Sequence, residues 1–495
     1  MVKIYKVDDS ILSLSSSLEY PIYIYLDSSK NFVLYSENIN SLLNDPRIKT
    51  SLTVSDYGIS FLLQSGVVPL PKTGYKELFI CHYGFKFNLS TKNNKVLVNY
   101  TYKYPFSVTT RSNHSNINYN DILELIAHAT IRKMHKGKDS YLFHSAGKDS
   151  NTIALALAEA GWQNKVTLIS HKSRKEKDES EISKSIAKKL GFKHKKLYEA
   201  DLLNNSHKNN IDNFFINSPL PCTDNVSLAY PIYLTQIPHL SHANLIDGMG
   251  NDVYMGHIPS RHEFTKQKLS FILKYFRPIA DYFSSNNKLL SLTRTRSETT
   301  GLTGFSYSDS AYIMNNPLKS FSYWMTQDNF DDYISFRSSI RGCLIDNEIF
   351  TRKIRNFSDA INSNIILPFT NQAVIDYFNT LPEEFLFNRK EFRNKVVLRE
   401  ILMKYINLDS DNLGKMGYDF NSSLLIINNW EYFYNNIITC SYWKTNNLGL
   451  LVEKLKGNIN FKGYNLNRKS RLSLSLIYRL YLISMWLNNC KYINK

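Results

Sequence analysis

The fold is decided by one stretch of the chain, Tyr141-Leu142-Phe143-His144-Ser145-Ala146-Gly147-Lys148-Asp149-Ser150. Its first three residues are apolar or aromatic and predict a buried strand, and the run from Thr152 to Ala160 predicts a helix that stops at Gly161. A tight turn from strand to helix gathers backbone N–H groups and the positive end of the helix dipole at one point. The stretch therefore predicts an anion-binding turn, in which the spacing of a Walker loop is absent.

The residue types in this turn favour a nucleotide tail as the anion. Ser145 and Ser150 can donate hydroxyl hydrogen bonds to phosphate oxygens, and the small Ala146 and Gly147 allow the backbone to approach closely. Asp149 would repel a phosphate directly, but it can hold a Mg²⁺ ion that bridges to the phosphates. We therefore expect ATP and Mg²⁺ as the ligands.

Two further strands follow the same pattern. Val166 to Ser170 predicts a second strand, and a helix with capping-box spacing between Asp178 and Glu181 comes after it. A third strand, Asn244 to Ile246, leads into a glycine-containing loop that carries Asp252, a second carboxylate for the same metal. Alternating strands and helices predict a parallel sheet built from βαβ units.

These motifs resemble those of known ATP-dependent enzymes. The first turn is similar to the S-G-G-x-D-S pyrophosphate loop of the N-type ATP pyrophosphatases, with Ala146 in place of the first glycine. The loop after the third strand resembles the S-G-E-G-x-D-E-x-F-G-G loop of asparagine synthetases, and it matches at Gly248, Gly250, Asp252 and Gly256. The second loop follows the first by roughly a hundred residues, in the order that this family uses. Asp247, Met249 and Val253 replace the usual Ser, Glu and Glu, and these changes bear on the identity of the substrate.

The resemblance extends into the last part of the chain. Leu367 to Asn371 looks like the family's V-P-F-L-D, Asn394 to Glu400 looks like its K-x-x-L-R-E helix, and Lys415-Met416-Gly417-Tyr418 resembles its K-x-G-F element. The resemblance implies that Lys415 is catalytic, because a mobile cation can stabilise charge on both a tetrahedral oxygen and departing AMP. Asn364 stands where the family often has a glutamate, and an amide cannot act as a base.

The first hundred residues differ in character from the rest. Short β-type runs separated by Ser, Asn and Gly predict a small β-rich domain, and three segments (Ser36–Leu43, Ser65–Pro69 and Thr73–Leu78) resemble the trailing part of a glutamine amidotransferase domain. The family's nucleophile is a cysteine after the initiator Met, and this chain has Val2 there. We therefore expect residues 1–115 to form a reduced, non-catalytic amidotransferase-like domain.

The fold class that the resemblance implies is α/β. Residues 120–495 are expected to form an asparagine synthetase-like ATP-binding ligase domain, with a parallel sheet, helices on both faces and a helical C-terminal half. An adenine nucleotide alpha hydrolase-like fold is implied for this part and an Ntn-hydrolase-like fold for the smaller domain before it. The implied nucleotide-binding residues are Phe143, Ser145, Ala146, Gly147, Ser150, Ile169, Ser170, Asp247 and Gly248, and the implied metal ligands are Asp149 and Asp252.

The implied activity is an AMP-forming amide ligase. Such an enzyme adenylates a small-molecule or peptide carboxylate with Mg-ATP, releases pyrophosphate and then AMP, and forms an amide without hydrolysing glutamine itself. The amine is free ammonia, ammonia from a separate glutaminase, or an amine within the substrate, such as a precursor peptide, as in β-lactam synthetases and lasso peptide cyclases. Two alternatives stay open: an RNA-modifying enzyme that adenylates a tRNA base, and a degenerate, non-catalytic nucleotide-binding protein.

Composition sets wider limits. With 43% hydrophobic and 21% charged residues the chain is typical of globular proteins, and its formal charge of +17 suits any anionic partner without selecting one. Five scattered cysteines show no zinc-type spacing, and the N-terminus lacks the pattern of a signal peptide. The apolar run from Leu472 to Leu487 is interrupted by Arg479 and predicts a buried helix. We therefore expect a cytoplasmic protein with no membrane partner, for which nucleic acid is an improbable ligand.

Overall fold

The computed structural model describes the chain apart from residues 8, 50–51, 107–116, 173–177, 286, 328–331, 414–419, 461–465 and 494–495. Its first part contains two antiparallel sheets. One has four strands in the order β1-β4-β3-β5 and the other has three in the order β2-β6-β7. The strands are β1 (Lys3–Lys6), β2 (Leu12–Ser15), β3 (Ile22–Leu26), β4 (Phe32–Ser36), β5 (Leu78–Cys81), β6 (Phe85–Lys92) and β7 (Lys95–Tyr102), with helices α1 (Ile39–Leu43) and α2 (Asp56–Ser65) between β4 and β5.

A five-stranded parallel sheet forms the centre of the second part, in the order β10-β9-β8-β11-β12. Leu142, Leu168 and Leu245 are fully buried in its three middle strands, as expected for a sheet covered on both faces. The strands are β8 (Ser140–Phe143), β9 (Thr167–Lys172), β10 (Lys193–Tyr198), β11 (Asn244–Ile246) and β12 (Asn364–Ile366). Helix α3 (Tyr119–Ile131) precedes β8. Between β8 and β11 lie the helices α4 (Lys148–Glu159), α5 (Ser180–Leu190), α6 (Asn205–Asn217) and α7 (Ala229–Tyr233).

The rest of the chain is mainly helical, so the prediction of an α/β protein with a helical C-terminal half is confirmed. Between β11 and β12 lie α8 (Arg261–Leu273), α9 (Arg277–Ala280), α10 (Lys288–Leu292), α11 (Tyr307–Ile313), α12 (Ser320–Thr326), α13 (Tyr333–Arg337), a π-helix (Ser338–Thr351) and α14 (Arg352–Ala360). After β12 come α15 (Gln372–Thr380), α16 (Glu383–Leu386), the hairpin β13 (Phe387–Asn388) and β14 (Arg393–Asn394), α17 (Val396–Ile406), α18 (Ser422–Asn428), α19 (Trp430–Ile438), α20 (Thr445–Lys456) and α21 (Arg468–Asn489).

The last helix, α21, is buried in the protein interior. Asn467 caps its N-terminus by accepting a hydrogen bond from the backbone N–H of Ser470, as expected for a residue with a short polar side chain at this position. The half-buried Arg479 guanidinium donates to the carbonyl oxygens of Leu63 and Thr303. In the part of the chain that the structure describes, no helix has the length and apolar character needed to cross a membrane.

The front sheets and the helical half share one hydrophobic core. A single cluster of buried side chains includes residues of β3, β4 and α2 together with residues of α6, α14 and α21. Tyr75 packs against Trp486 with ring centroids 5.2 Å apart, and its hydroxyl donates to the carbonyl oxygen of Pro219 at 2.8 Å. Extensive shared burial of this kind fixes the front part against the helical half.

The strand order creates a crevice. The chain runs from β8 outward through β9 and β10, and then returns to form β11 and β12 on the other side of β8. The connections that leave β8 and β11 therefore diverge at the carboxyl edge of the sheet, and ligands of open α/β sheets bind at such switch points. The two glycine-containing loops of the sequence analysis lie at this point.

Candidate functional site

A cavity of about 320 Å³ lies at the carboxyl edge of the parallel sheet. Its walls come from the ends of β8, β9, β10 and β11, from α7, from the π-helix and from the start of α14. The predicted nucleotide and metal residues among its lining are Phe143, Ser145, Gly147, Asp149, Ser150, Ile169, Asp247, Gly248 and Asp252. The fold thus brings together predicted residues from three separate parts of the sequence.

The turn after β8 has the geometry of an anion site. The hydroxyl of Ser145 accepts the N–H of Gly147 at 3.0 Å and lies 3.1 Å from the hydroxyl of Ser150. Gly147 is the N-cap of α4 and has no side chain with which to cap the helix, so an anion can take that role. A Cβ atom on Gly248 would lie 2.9 Å from the Cβ of Asp149, which shows how closely the two loops pack.

The two predicted metal ligands face the same point. The ammonium Nζ of Lys395 lies 2.6 Å from Oδ2 of Asp149 and 2.9 Å from Oδ1 of Asp252. The other oxygen of Asp149 accepts a hydrogen bond from Nδ2 of Asn251 at 2.5 Å. A single cation can therefore contact both carboxylates, although they lie about a hundred residues apart in the chain.

This donor set fits magnesium. Among the described residues there is no group of three or more His, Cys, Asp or Glu side chains that could enclose a metal ion. Mg²⁺ is commonly held by one or two carboxylates while substrate phosphates and water supply its other ligands, so Asp149 and Asp252 suffice when a nucleotide is bound.

Several basic side chains lie near Asp149 and Asp252. Lys395 adopts a left-handed backbone with φ of 55°, which is costly for a residue with a Cβ and recurs at functional sites. Burial alone would lower the pKa of Lys395, but Asp149 and Asp252 outweigh it and hold the pKa above its usual value. Burial, with Arg399 and Lys395 nearby, lowers the pKa of Lys148 to about 8. Lys148, Lys395 and Arg399 thus form a cluster of positive charge next to Asp149 and Asp252.

The wall on the β9 and β10 side has a different character. Ile169 and Leu197 are apolar and fully or almost fully buried, and Glu179 also lines the cavity with a carboxylate. Glu179 accepts the N–H of Ala146 at 2.9 Å, and burial raises the pKa of its carboxyl group. His171 lies 3.0 Å from Glu199 and is hydrogen-bonded to Tyr233.

Two predicted nucleotide neighbours point elsewhere. Ala146 is buried, and its contact is the hydrogen bond to Glu179. The hydroxyl of Ser170 lies 2.8 Å from Nε2 of His194, within a polar network behind the cavity. Neither residue is among the described residues that line the cavity. The predicted catalytic residue, Lys415, lies outside the described residues.

A third side of the cavity is built by the π-helix and α14. Lys353 is 6% exposed and lies 3.1 Å from Oδ1 of Asp224. Burial raises the pKa of Asp247 to about 6, and the charge of Lys353 opposes that rise. Asn347 and Phe350 of the π-helix complete this wall, and π-helical turns, which are rare in proteins, frequently occur at functional sites. The wall therefore contains one buried cation, Lys353, that is paired with Asp224.

Sequence reasoning did not assign roles to Lys148, Lys353 or Lys395. Lys395 belongs to the segment from Asn394 to Glu400 that resembles the K-x-x-L-R-E helix, but the motif assigns it no role. Its left-handed backbone conformation cannot be seen from sequence. Asn364, where the family often has a glutamate, donates from Nδ2 to the carbonyl oxygen of Lys133 at 2.7 Å and to Oδ1 of Asn244 at 2.9 Å. In this chain, therefore, that position ties the edge of the sheet together.

Comparisons with protein-family models and with curated protein sequences find no match to this chain.

Proposed function

We propose that this protein is an ATP-dependent amide ligase of the asparagine synthetase type, which activates a carboxylate by adenylation. The observation that carries the proposal is the contact of Asp149 and Asp252 with one ammonium group, directly beside a turn suited to bind an anion. The front part is proposed to be the remnant of an amidotransferase domain, and the second part to have the adenine nucleotide alpha hydrolase-like fold.

The charge distribution supports one direction for the proposed nucleotide. Lys148, Lys395 and Arg399 favour the pyrophosphate at the end of the cavity near α17. Ile169 and Leu197 offer an apolar surface for the adenine, and the carboxylate of Glu179 disfavours a phosphate there. In this direction the α-phosphate would lie between these ends and would face the wall formed by Lys353 and the π-helix.

The proposed reaction has two steps. A substrate carboxylate oxygen attacks the α-phosphorus, the bond to the bridging oxygen breaks, and pyrophosphate leaves. An amine nitrogen then attacks the acyl carbon, gives up a proton, and expels AMP as the amide forms. Magnesium held by Asp149 and Asp252 would neutralise charge on the pyrophosphate, and Lys415 is proposed to approach the reacting atoms.

The chain's own residues have defined tasks in this scheme. Lys353 would bind a carboxylate of the substrate through a charge-assisted hydrogen bond, with Asp224 holding the ammonium in place. Lys395 would offset the repulsion between the two carboxylates before the nucleotide arrives. The amine source stays open between ammonia, a separate glutaminase and an amine within the substrate.

Substrate-dependent pyrophosphate release tests the proposal. Purified protein would be incubated with Mg-ATP and with separate pools of peptides, sugar acids and amino acids, or with tRNA. A carboxylate-dependent burst of pyrophosphate, followed by an amide product seen by mass spectrometry, is expected. Release that depends only on tRNA would instead establish the RNA-modifying alternative, and no release with any pool would contradict the ligase.

Two variants of the charged cluster and two matched controls test whether Asp149 and Lys395 act in the reaction. Asp149→Asn and Lys395→Met should each lower the rate of pyrophosphate release by about 100-fold or more, because each removes a charge that acts on the leaving group. Asp212→Asn and Lys208→Met make the same chemical changes on α6, outside the cavity, and should leave the rate unchanged. Equal rates for all four variants would remove the carboxylate pair from the mechanism.

A further inference from the structure

The segment from Arg261 to Phe283 has an unusual distribution of apolar and polar side chains. Helix α8, a single 3-10 turn (Lys274–Phe276) and α9 follow one another directly, and turns continue to Phe283. We refer to residues 261–283 as the helical rod. Six large apolar side chains along it are between 53% and 73% exposed: Leu269, Ile272, Tyr275, Phe276, Ile279 and Tyr282. Their spacing of mostly three residues places them on one face of the rod, which we call the apolar stripe.

The opposite face of the rod is polar and buried. Gln267, Ser270, Lys274, Arg277 and Asp281 are each no more than 6% exposed. Arg277 donates from Nε to Asp281 at 2.7 Å and from Nη1 to Glu298 at 3.0 Å. The rod therefore has the reverse of the usual arrangement, in which a surface helix turns its apolar side inward.

This arrangement is unfavourable for a protein surrounded only by water. Burying an ion pair carries a desolvation cost, whereas fully burying a Leu, Ile or Phe side chain contributes about 1.5–3 kcal/mol. A rod rotated about its axis would bury the apolar side chains and expose the ion pairs to water. Because the Arg277 ion pairs fix the rod with its stripe outward, the stripe is suited to an apolar environment outside the chain.

The charges around the stripe indicate what that environment is. The exposed charged residues of the described part of 261–320 are cationic: Arg261, Lys266, Lys268, Lys288 and Lys319. Three of the four acidic residues there, Asp281, Glu298 and Asp309, are buried, and Glu263 is in contact with Arg337. An exposed apolar and aromatic face bordered by lysines and lacking exposed carboxylates is complementary to an anionic lipid surface.

We propose that the helical rod is a membrane-surface anchor, which lies in the interface of an anionic lipid layer with the apolar stripe facing the acyl chains. The sequence-based expectation of no membrane partner rested on the lack of an apolar span. A helix that lies in the interface needs no such span, because only one face enters the lipid. This inference does not depend on the proposed ligase activity.

Vesicle sedimentation tests the proposal with the full chain. The protein should co-sediment with phosphatidylcholine vesicles that contain phosphatidylglycerol, and high salt or pure phosphatidylcholine should weaken the binding. Ile272→Glu/Ile279→Glu should lower the vesicle partition coefficient at least about tenfold, because two carboxylates would enter the lipid interface. Ile11→Glu/Leu202→Glu alters two equally exposed apolar side chains outside the rod and should bind like the wild type.

Misfolding of a variant, loss of vesicle binding and formation of a dimer can be told apart. Circular dichroism checks that the variants fold, and Tyr275→Ser/Tyr282→Ser serves as a second stripe variant if the first does not. The proposal is overturned if wild-type protein ignores anionic vesicles, or if the stripe variants bind them as well as wild type. A soluble dimer that the stripe variants dissociate, with no vesicle binding, would show that a second copy of the chain covers the stripe.

Discussion

Two places in this protein contain a buried cation between two carboxylates, and they differ in access. At the cavity, Lys395 lies between Asp149 and Asp252, whose side chains are 27% and 41% exposed. Beneath the helical rod, Arg277 lies between Asp281 and Glu298, whose side chains are 3% and 4% exposed. The contact distances are alike, from 2.6 to 3.0 Å.

The difference shows that a charge cluster by itself does not define a binding site. Carboxylates that open on a cavity can exchange a lysine ammonium for another cation, such as magnesium. Carboxylates enclosed on all sides cannot, and a guanidinium with fixed planar geometry holds them permanently. We infer that the carboxylates at Lys395 are open to exchange with another cation, whereas the cluster at Arg277 supports the fold.

The largest expected effect is on stability. Arg277→Met should lower the free energy of unfolding by about 3–5 kcal/mol, since it leaves two buried carboxylates without a counter-charge. Lys395→Met should cost about 1 kcal/mol or less, because water reaches Asp149 and Asp252. Urea unfolding followed by circular dichroism gives both values.

A triple variant serves as the control for this prediction. Replacing Arg277, Asp281 and Glu298 together by Met, Leu and Leu removes all three charges, and it should recover much of the stability lost by Arg277→Met alone. Similar losses for Arg277→Met and Lys395→Met would show that the two clusters do not differ as the exposures indicate.

The next effect concerns pH. His144, behind the anion-binding turn, lies 2.7 Å from the hydroxyl of Ser183, and burial lowers the pKa of His144 to about 3. The folded protein therefore keeps His144 neutral while the unfolded chain takes up a proton below about pH 6.5, so stability present above that pH is lost as the pH falls toward 3. This histidine should contribute up to about 1.4 kcal/mol of lost stability per pH unit.

The measurement is the unfolding free energy between pH 7 and pH 5. His144→Gln should flatten its decline, and His82→Gln should act similarly, because burial also lowers the pKa of His82 to about 3. His262→Gln removes an exposed histidine and serves as the control. An unchanged slope in His144→Gln would show that protonation of this residue is not linked to unfolding.

The smallest effect is a thermal shift with magnesium. In Lys395→Met the position between Asp149 and Asp252 lacks its ammonium, so millimolar MgCl₂ should raise the melting temperature by about 2 °C more than in wild type. Asp149→Asn/Asp252→Asn should abolish the shift. Arg277→Met should gain nothing from MgCl₂, and a gain there would mean that the enclosed cluster also admits ions.

Much of the architecture was predictable. The strand from Tyr141, the strand near Val166 and the strand from Asn244 were each expected, and all three belong to the parallel sheet. The helix predicted over Leu472 to Leu487 extends from Arg468 to Asn489. These elements are local, since runs of apolar residues and the turn residues that bound them lie next to each other in sequence.

The third wall of the cavity was not predictable. The segment from Ser338 to Thr351 carries no motif, and it packs against α13, α14 and the turn at Asn251–Val253. The side chain of Ser170 was expected near the nucleotide, yet the pairing of β9 with β10 turns it toward His194. Side-chain direction depends on pairing register, which is a tertiary property.

The amino-acid order by itself determined the tight turn between β8 and α4, the two acidic loop residues and the alternation of strands and helices, because these depend on neighbours a few positions away. Only the tertiary structure decided that Lys395 joins Asp149 and Asp252, and that the helical rod presents its apolar side outward. Both depend on contacts between distant segments, and burial decides for each charge whether it is enclosed or left open to a ligand.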